Sequence, residues 1–165
     1  MNANLNLSRA AVATYSANNK LDVLGALAGC FADAYGHDRA AVLEGLEERE
    51  RLGSTGFGRR VAIPHARIAG LDRPVVALIK LDTSVDFNAA DGMPVDLVIG
   101  LLSPPNAGAD HLHALAAISR MVRNEVIYEA LLRADNADAL FATLTNLADS
   151  VIANDNLNGA TRESA

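Results

Sequence analysis

Two nearly uninterrupted apolar segments constrain the fold of this 165-residue chain more than any other feature. They are residues 75–81 (VVALIKL) and residues 95–102 (VDLVIGLL). A strand with one face in water alternates polar and apolar side chains, whereas a strand buried on both faces is continuously apolar. Both segments are too short to cross a bilayer as helices. We therefore predict two interior strands that need a covering layer on each face.

The segments before and after these strands have helical periodicity, and the predicted helices form the covering layers. Apolar residues recur at helical spacing over residues 20–35, and a second helix begins after the N-cap Asp38 and ends at Gly53. Three further helices are predicted toward the C-terminus, over residues 111–123, 125–134 and 137–148.

The remaining segments complete the predicted sheet. Residues 61–63 (VAI) form a short strand that Pro64 stops, because proline has no N–H to donate to a ladder. Residues 1–19 are polar and form either an edge strand or a loop. We predict an α/β fold, a three-layer sandwich in which a mixed central β-sheet is flanked by helices on both faces. Residues 1–152 form its single domain, and residues 153–165 form a disordered tail.

Charge and cysteine usage exclude several classes of protein. The net charge of −6 and a pI of about 5.1 argue against a general nucleic-acid binder. The chain has one cysteine, Cys30, so an internal disulfide cannot form, which fits a reducing compartment. The N-terminus lacks the basic cluster and apolar block of a signal peptide. We expect a cytoplasmic protein with no direct membrane insertion.

One stretch departs from this acidic character. Residues 49–74 carry six arginines against two acids and contain the glycine-rich sequence GSTGFG. Glycines let backbone N–H groups approach a phosphate, and arginine adds a forked donor. The pattern fits an anion site, and it fits a solvated surface loop as well. A nucleotide-binding P-loop is not predicted, because G-x-x-x-x-G-K-[ST] does not occur.

The histidines offer the candidate chemistry. His65 follows Pro64 beside the basic loop, where a neutral imidazole can attack phosphorus, although its position alone leaves a structural role equally open. His111 and His113 open a predicted helix, but residues two apart point about 200° apart, so these two cannot readily share one metal ion. His111 lies on the inward apolar stripe, and His113 lies on the surface. No metal site is predicted.

Taken together, these motifs resemble a known family. In chain order they are RERLGSTGFG at residues 49–58, AIPH at 62–65, Phe87, PVDL at 94–97 and HLHAL at 111–115. The set resembles the IIA domain of the fructose–mannitol class of the bacterial phosphotransferase system, and it is most similar to the free-standing, nitrogen-related branch. The resemblance extends over most of the chain.

The resemblance implies a phosphoryl carrier. In this family the histidine of the IPH motif, here His65, accepts a phosphoryl group from a small histidine-containing phosphocarrier protein in a phosphoenolpyruvate-dependent relay. The resemblance assigns supporting catalytic roles to His111 and Arg49. The predicted phosphate-binding residues are Thr55, Gly56, Gly58 and Arg67. No cofactor is predicted.

Two departures from the family pattern bear on the donor, and the biological role has alternatives. The family commonly has glycine where this chain has Arg60 and Ala66. Because no transporter domain or membrane segment is attached, we expect a mainly regulatory role in nitrogen, potassium or metabolic signalling, through target proteins the sequence does not name. The alternatives are the IIA component of a fructose- or mannitol-type uptake system and a non-enzymatic regulatory binding module. A metal hydrolase that uses all three of His65, His111 and His113 is disfavoured by the helix geometry.

Overall fold

The computed structural model describes residues 6–147, and its centre is a mixed six-stranded sheet. The strands are β1 (Asn6–Tyr15), β2 (Gly56–Gly58), β3 (Val61–Ala62), β4 (His65–Arg67), β5 (Val75–Val85) and β6 (Val95–Ser103). The helices are α1 (Lys20–Tyr35), α2 (Arg39–Arg51), α3 (Ala109–Arg123), α4 (Glu125–Arg133) and α5 (residues 137–147). The strand order is β1-β5-β6-β3-β2, and β4 also pairs with β6. The β5–β6 and β2–β3 pairs are antiparallel and the others parallel.

Side chains of the two central strands alternate between two hydrophobic cores. In β5, Ala77 and Ile79 join the core formed with α1 and α2. Val76 and Leu78 join the core formed with α3, α4 and α5. Successive side chains of a strand point to opposite faces of the sheet, and helices cover both faces. Each side chain of these strands therefore packs against apolar groups, whichever face it is on. The predicted three-layer α/β fold and its two interior strands are confirmed.

Gly100 allows α1 to approach β6 closely. A Cβ atom at this position would lie 2.7 Å from Leu27 Cδ2 and 2.9 Å from Phe31 Cε2. Both neighbours are fully buried, and burial of each such side chain contributes about 1.5–3 kcal/mol. Any larger residue at position 100 would push α1 away from the sheet.

The ends of α1 and α2 follow the predicted signals. Gly36 ends α1 in the left-handed region at φ 73°. The Asp38 side chain accepts hydrogen bonds from the amides of Ala40 and Ala41, which makes it the N-cap of α2. Because α2 ends at Arg51, Arg49 lies in its last turn, at the edge of the sheet where β4 begins.

The strands differ from the prediction at several boundaries. Residues 56–58 form a strand that was not predicted, and of the two alternatives for the N-terminal segment the structure has the edge strand, β1. Pro64 interrupts the ladder only briefly, because its carbonyl still accepts a hydrogen bond from the amide of Leu101 and pairing resumes at β4. The chain therefore does not leave the sheet before the IPH histidine. The two long strands run further than predicted and end at Val85 and Ser103.

Two of the predictions concern residues outside the described part of the chain. The predicted domain end at residue 152 and the predicted tail at residues 153–165 lie outside it. Within residues 6–147, no helix is both long and apolar enough to cross a membrane.

Candidate functional site

His65 begins β4 and is held at both ring nitrogens. Its Nδ1 lies 2.8 Å from the carbonyl oxygen of Ile63, and its Nε2 lies 3.1 Å from Nε of Arg49. A carbonyl only accepts, so Nδ1 carries the proton. An arginine only donates, so Nε2 presents its lone pair. The contacts therefore select the neutral tautomer of His65 whose unprotonated nitrogen, Nε2, is the one that faces Arg49.

The surroundings of His65 favour this neutral form. Partial burial lowers the pKa of His65 below its ordinary value of 6.5, and the positive charge of Arg49 lowers it further. The Ile63 carbonyl and the Glu50 carboxylate oppose this shift, but the pKa remains lowered overall. At neutral pH the imidazole is therefore uncharged and has a free electron pair at Nε2 for reaction with an electrophile.

Arg49 is fixed by its position at the end of α2. Its Nη1 donates to the carbonyl oxygen of Gly53 at 3.0 Å, while its Nε donates to His65. The first bond uses a carbonyl at the C-terminal end of the helix, where cations are favoured. The guanidinium therefore bonds to the Gly53 carbonyl through Nη1 and to Nε2 of His65 through Nε.

His111 lies in the first turn of α3, and its ring is beside that of His65. The two ring centroids are 5.6 Å apart and the planes are tilted by 53°. His111 is buried, with Nδ1 2.7 Å from Oγ of Ser103. Burial lowers the pKa of His111, and the nearby His65 and Arg67 lower it further. His113 is exposed on another face of the helix, as the spacing predicted.

The position of His113 also bears on the metal alternative. A hydrolytic metal centre built from three histidines would need His113 to meet His65 and His111, and α3 turns it away from them. In the part of the chain that the structure describes, no group of three or more His, Cys, Asp or Glu side chains is arranged to hold a metal ion.

Arg67 shares a face of β4 with His65, because the two residues are two apart in a strand. Its Nη1 contacts the carbonyl oxygen of Pro105 at 3.3 Å. Together with Arg49 and Arg51, Arg67 and His65 line an open depression of about 620 Å³ between α2 and β4. The site therefore presents a neutral nucleophile at a positively charged surface, which suits an anionic group such as phosphate.

The glycine-rich loop is arranged differently from the sequence expectation. The amide and hydroxyl of Thr55 both donate to the Glu50 carboxylate, and the amide of Gly56 donates to Oγ of Ser54. Gly58, at φ 90°, lies against the carboxylate of Asp91. Carboxylates and a hydroxyl therefore lie on this side of the loop, where the sequence predicted an amide cradle for phosphate. The phosphate-binding role of Thr55, Gly56 and Gly58 stays a prediction that the hydrogen bonds do not support.

Two residues near the site were not identified from the sequence. Glu50 has a side chain only 7% exposed, and its carboxylate binds Thr55 and, at 2.9 Å, Nζ of Lys20. Ser103 is fully buried and contacts His111. Glu50 could have been identified from its place beside Arg49 in the RERLGSTG motif, because an acid in a basic stretch is a candidate partner for neighbouring donors. Ser103 gave no comparable signal.

The fold and the site define a class of protein. An α/β domain that presents a neutral histidine at a cluster of arginines, with no nucleotide-binding loop, has the features of a histidine phosphotransfer domain. The model of the family described as "Phosphoenolpyruvate-dependent sugar phosphotransferase system, EIIA 2" matches residues 7–147, and the chain belongs to this family. Family membership assigns the chain to phosphoryl transfer through a histidine.

Two relatives with different names are similar to most of this chain. A nitrogen regulatory protein of Bradyrhizobium diazoefficiens is 42% identical over 127 residues, which cover 77% of this chain and 83% of the relative. A fructose-specific EIIA component of the phosphotransferase system of Haloferax volcanii is 36% identical over 112 residues, which cover 68% of this chain and 73% of the relative.

Solved structures agree with the fold. The crystal structure of the nitrogen regulatory protein IIA-Ntr from Neisseria meningitidis superimposes with a TM-score of 0.76 at 34% identity, and the match covers 84% of this chain and 95% of that one. The mannitol IIA of Escherichia coli, at a TM-score of 0.65 and 21% identity, covers 79% of this chain and 92% of its own and shares the fold.

Proposed function

We propose that this protein is a phosphocarrier that accepts a phosphoryl group on Nε2 of His65 from a histidine-containing phosphocarrier protein, within a phosphoenolpyruvate-dependent relay. The observation that carries the proposal is the hydrogen-bond pair at His65. The Ile63 carbonyl accepts a hydrogen bond from the protonated Nδ1, so the lone pair is on Nε2, beside Arg49 in the positively charged depression. The nucleophile is therefore prepared before the donor arrives.

The transfer step needs no cofactor. Nε2 of His65 attacks the phosphorus of the donor's phosphohistidine, the new N–P bond forms, and the donor's N–P bond breaks with its electron pair returning to the donor imidazole. Charge lies on the three equatorial phosphoryl oxygens in the loose transition state, so the protein contributes mainly position and electrostatic stabilisation. The Ile63 carbonyl stabilises the positive charge that develops on the His65 ring.

We assign contacts with the phosphoryl oxygens to three side chains. Arg49 gives up its bond to Nε2 as the phosphorus approaches and donates to an oxygen instead, while its bond to Gly53 keeps it in position. Arg67 adds positive charge from the same face of β4. His111 donates a hydrogen bond from the neighbouring ring. In this proposal Thr55 contributes to loop structure through Glu50.

A phosphorelay assay tests the acceptor. Incubation with phosphoenolpyruvate, enzyme I and a histidine-containing carrier should add one acid-labile phosphate to the protein, as read by intact mass. His65→Ala should abolish the label, and His113→Ala, an exposed histidine on α3, is the matched control that should keep it. Phosphoenolpyruvate or ATP alone should give no label. Labelling of the His65→Ala variant would refute the proposed acceptor.

We further propose that the role is mainly regulatory, so that phosphorylation changes which protein the chain binds. The support is the similarity to proteins named nitrogen regulatory protein, at 42% identity to that of Bradyrhizobium diazoefficiens and 34% to the solved structure. The fructose-specific relative at 36% identity favours a second candidate, the IIA step of sugar uptake. Mixing the phosphorylated protein with a fructose-type IIB domain separates the two. Retention of phosphate supports regulation, and rapid transfer to the IIB domain supports uptake.

A further inference from the structure

Ser103 is the last residue of β6, and it is completely buried next to the site. In the parallel pairing of β4 with β6 it lies opposite Arg67, two residues along from the partner of His65. Its Oγ is 2.7 Å from Nδ1 of His111. A hydroxyl can donate or accept, and so can a neutral imidazole nitrogen, depending on the tautomer. The direction of this one hydrogen bond therefore decides which nitrogen of His111 carries the proton.

The surroundings of Ser103 decide that direction. Within residues 6–147, the Ser103 hydroxyl has no hydrogen-bond partner other than His111. If Nδ1 of His111 donated, the hydroxyl proton would be buried with no acceptor, which would disfavour that arrangement by about tenfold or more. If the hydroxyl donates, its buried proton has an acceptor, and the N–H left over is that of His111 Nε2, which is not among the fully buried unpartnered side-chain atoms of the described residues. Nδ1 then accepts, and the imidazole proton is on Nε2.

We infer that Ser103 is a positioning residue that fixes His111 as the Nε2–H tautomer, so that His111 presents a hydrogen-bond donor to the phosphoryl group carried by His65. Nε2 is the ring nitrogen of His111 that makes no hydrogen bond within the described residues. A bare lone pair there would repel an anion, whereas an N–H stabilises it. The role of His111 in transfer rests on the proposed function, but the tautomer itself does not.

The two histidines then have opposite tautomers. Ile63 leaves His65 with a bare Nε2, and Ser103 leaves His111 with a protonated Nε2. One ring supplies the electron pair and its neighbour supplies the donor. Two chemically identical side chains acquire complementary roles from a carbonyl beside one and a hydroxyl beside the other.

Imidazole NMR of the unmodified protein tests the inference directly, and variants are needed only to assign the signals. Two-bond ¹H–¹⁵N correlations of uniformly labelled protein at pH 7.5 distinguish protonated from bare ring nitrogens, with the spectra of His65→Ala and His111→Ala used for assignment. We expect His111 to have a protonated Nε2 and a bare, hydrogen-bonded Nδ1, and His65 to show the reverse. A His111 with a protonated Nδ1 would overturn the inference.

Kinetics of the phosphorelay supply the second test. Ser103→Ala should slow labelling at saturating donor by about tenfold, the effect of one hydrogen bond to a charged group, while the donor concentration for half-maximal rate stays within about twofold. Ser103→Thr, which keeps the hydroxyl, should stay within about threefold of the unmodified rate.

A double variant separates action through His111 from a general loss of structure. Because the two residues act as one unit, Ser103→Ala combined with His111→Ala should be no slower than His111→Ala alone. A further loss in the double variant, or a normal rate for Ser103→Ala, would contradict the inference. If His65→Ala still accepted phosphate, the proposed function would fail, while the NMR result would still decide the role of Ser103.

Discussion

The most informative perturbation is Glu50→Gln, because it removes a buried charge without changing the shape of the side chain. The Glu50 carboxylate accepts hydrogen bonds from the amide and hydroxyl of Thr55 and forms an ion pair with Lys20, which itself lies over the ring of Phe87. These contacts connect the end of α2, the start of α1 and the glycine-rich loop. The amide of a glutamine at position 50 offers one acceptor oxygen instead of two. Its NH₂ group would face the donor groups of Thr55 and Lys20.

The expected cost follows from burial. The side chains of Lys20 and Glu50 are 21% and 7% exposed, so solvent screens this ion pair only in part. Removing one partner of a buried pair costs about 3–5 kcal/mol, and the partial exposure of Lys20 places the expected value at the lower end, about 3 kcal/mol. For a domain of this size, about 3 kcal/mol lowers Tm by about 6–12 °C.

Thermal and urea unfolding of the two proteins measure this loss, with Glu44→Gln as the control. Glu44 lies on the same helix and is exposed, so its substitution should change stability by less than about 0.5 kcal/mol. The negative charge of Glu50 raises the pKa of His65, so NMR titration of Glu50→Gln should show a lower His65 pKa than in the unmodified protein. A loss of stability no greater than that of the control would refute the role assigned to Glu50.

Three further predictions concern the reacting groups. Arg49→Lys keeps the charge but cannot contact both the nucleophile and the helix end, so it should fold normally and accept phosphate at least about tenfold more slowly; wild-type kinetics would reduce Arg49 to a helix-end charge. His111→Ala should slow labelling by about tenfold or more while His113→Ala changes little, and equal effects would contradict the helix-face argument. The pKa values of His65 and His111 are lowered in the folded protein, so the unfolded chain takes up protons at a higher pH than the folded one, and the free energy of unfolding measured in urea should fall as the pH decreases through 6.5 and below it, and by less in a His111→Ala variant. Stability that rises on acidification over this range would show that the sign is wrong.

The layers of the fold were predictable because each follows from a pattern repeated over many residues. β5 and β6 are apolar at nearly every position since both of their faces are covered, and the helices keep a stripe of apolar residues toward the sheet. The position of His113 followed from helix geometry alone. Features of this kind need no knowledge of which segments meet in space.

The missed features depend on contacts between distant segments. β4 contains three residues, His65 to Arg67, too few for any periodicity, and its pairing partner lies more than thirty residues away in the chain. Ser103 precedes a pair of prolines and so resembles the start of a loop, although parallel pairing with β4 keeps it in the sheet. The glycine-rich loop depends on tertiary contacts as well. Its composition suits phosphate and its phosphate-binding role stays a prediction, but the amide and hydroxyl of Thr55 donate to a neighbouring acid, Glu50.

Arg60, where the family commonly has glycine, shows how tertiary contacts compensate for a local departure. The residue lies in the left-handed region at φ 67°, which costs a non-glycine side chain about 1 kcal/mol or more. Its guanidinium forms a two-pronged ion pair with Asp96, with the second contact at 2.9 Å, and the backbone carbonyl of Arg60 accepts the amide of Asp96. These bonds offset the strain of the turn. They also direct the Arg60 charge toward Asp96 within the same molecule.

Ala66, the other departure, is buried. We therefore expect donor selection to depend less on these two residues than on the exposed side chains beside His65, among them Leu52, which is 85% exposed.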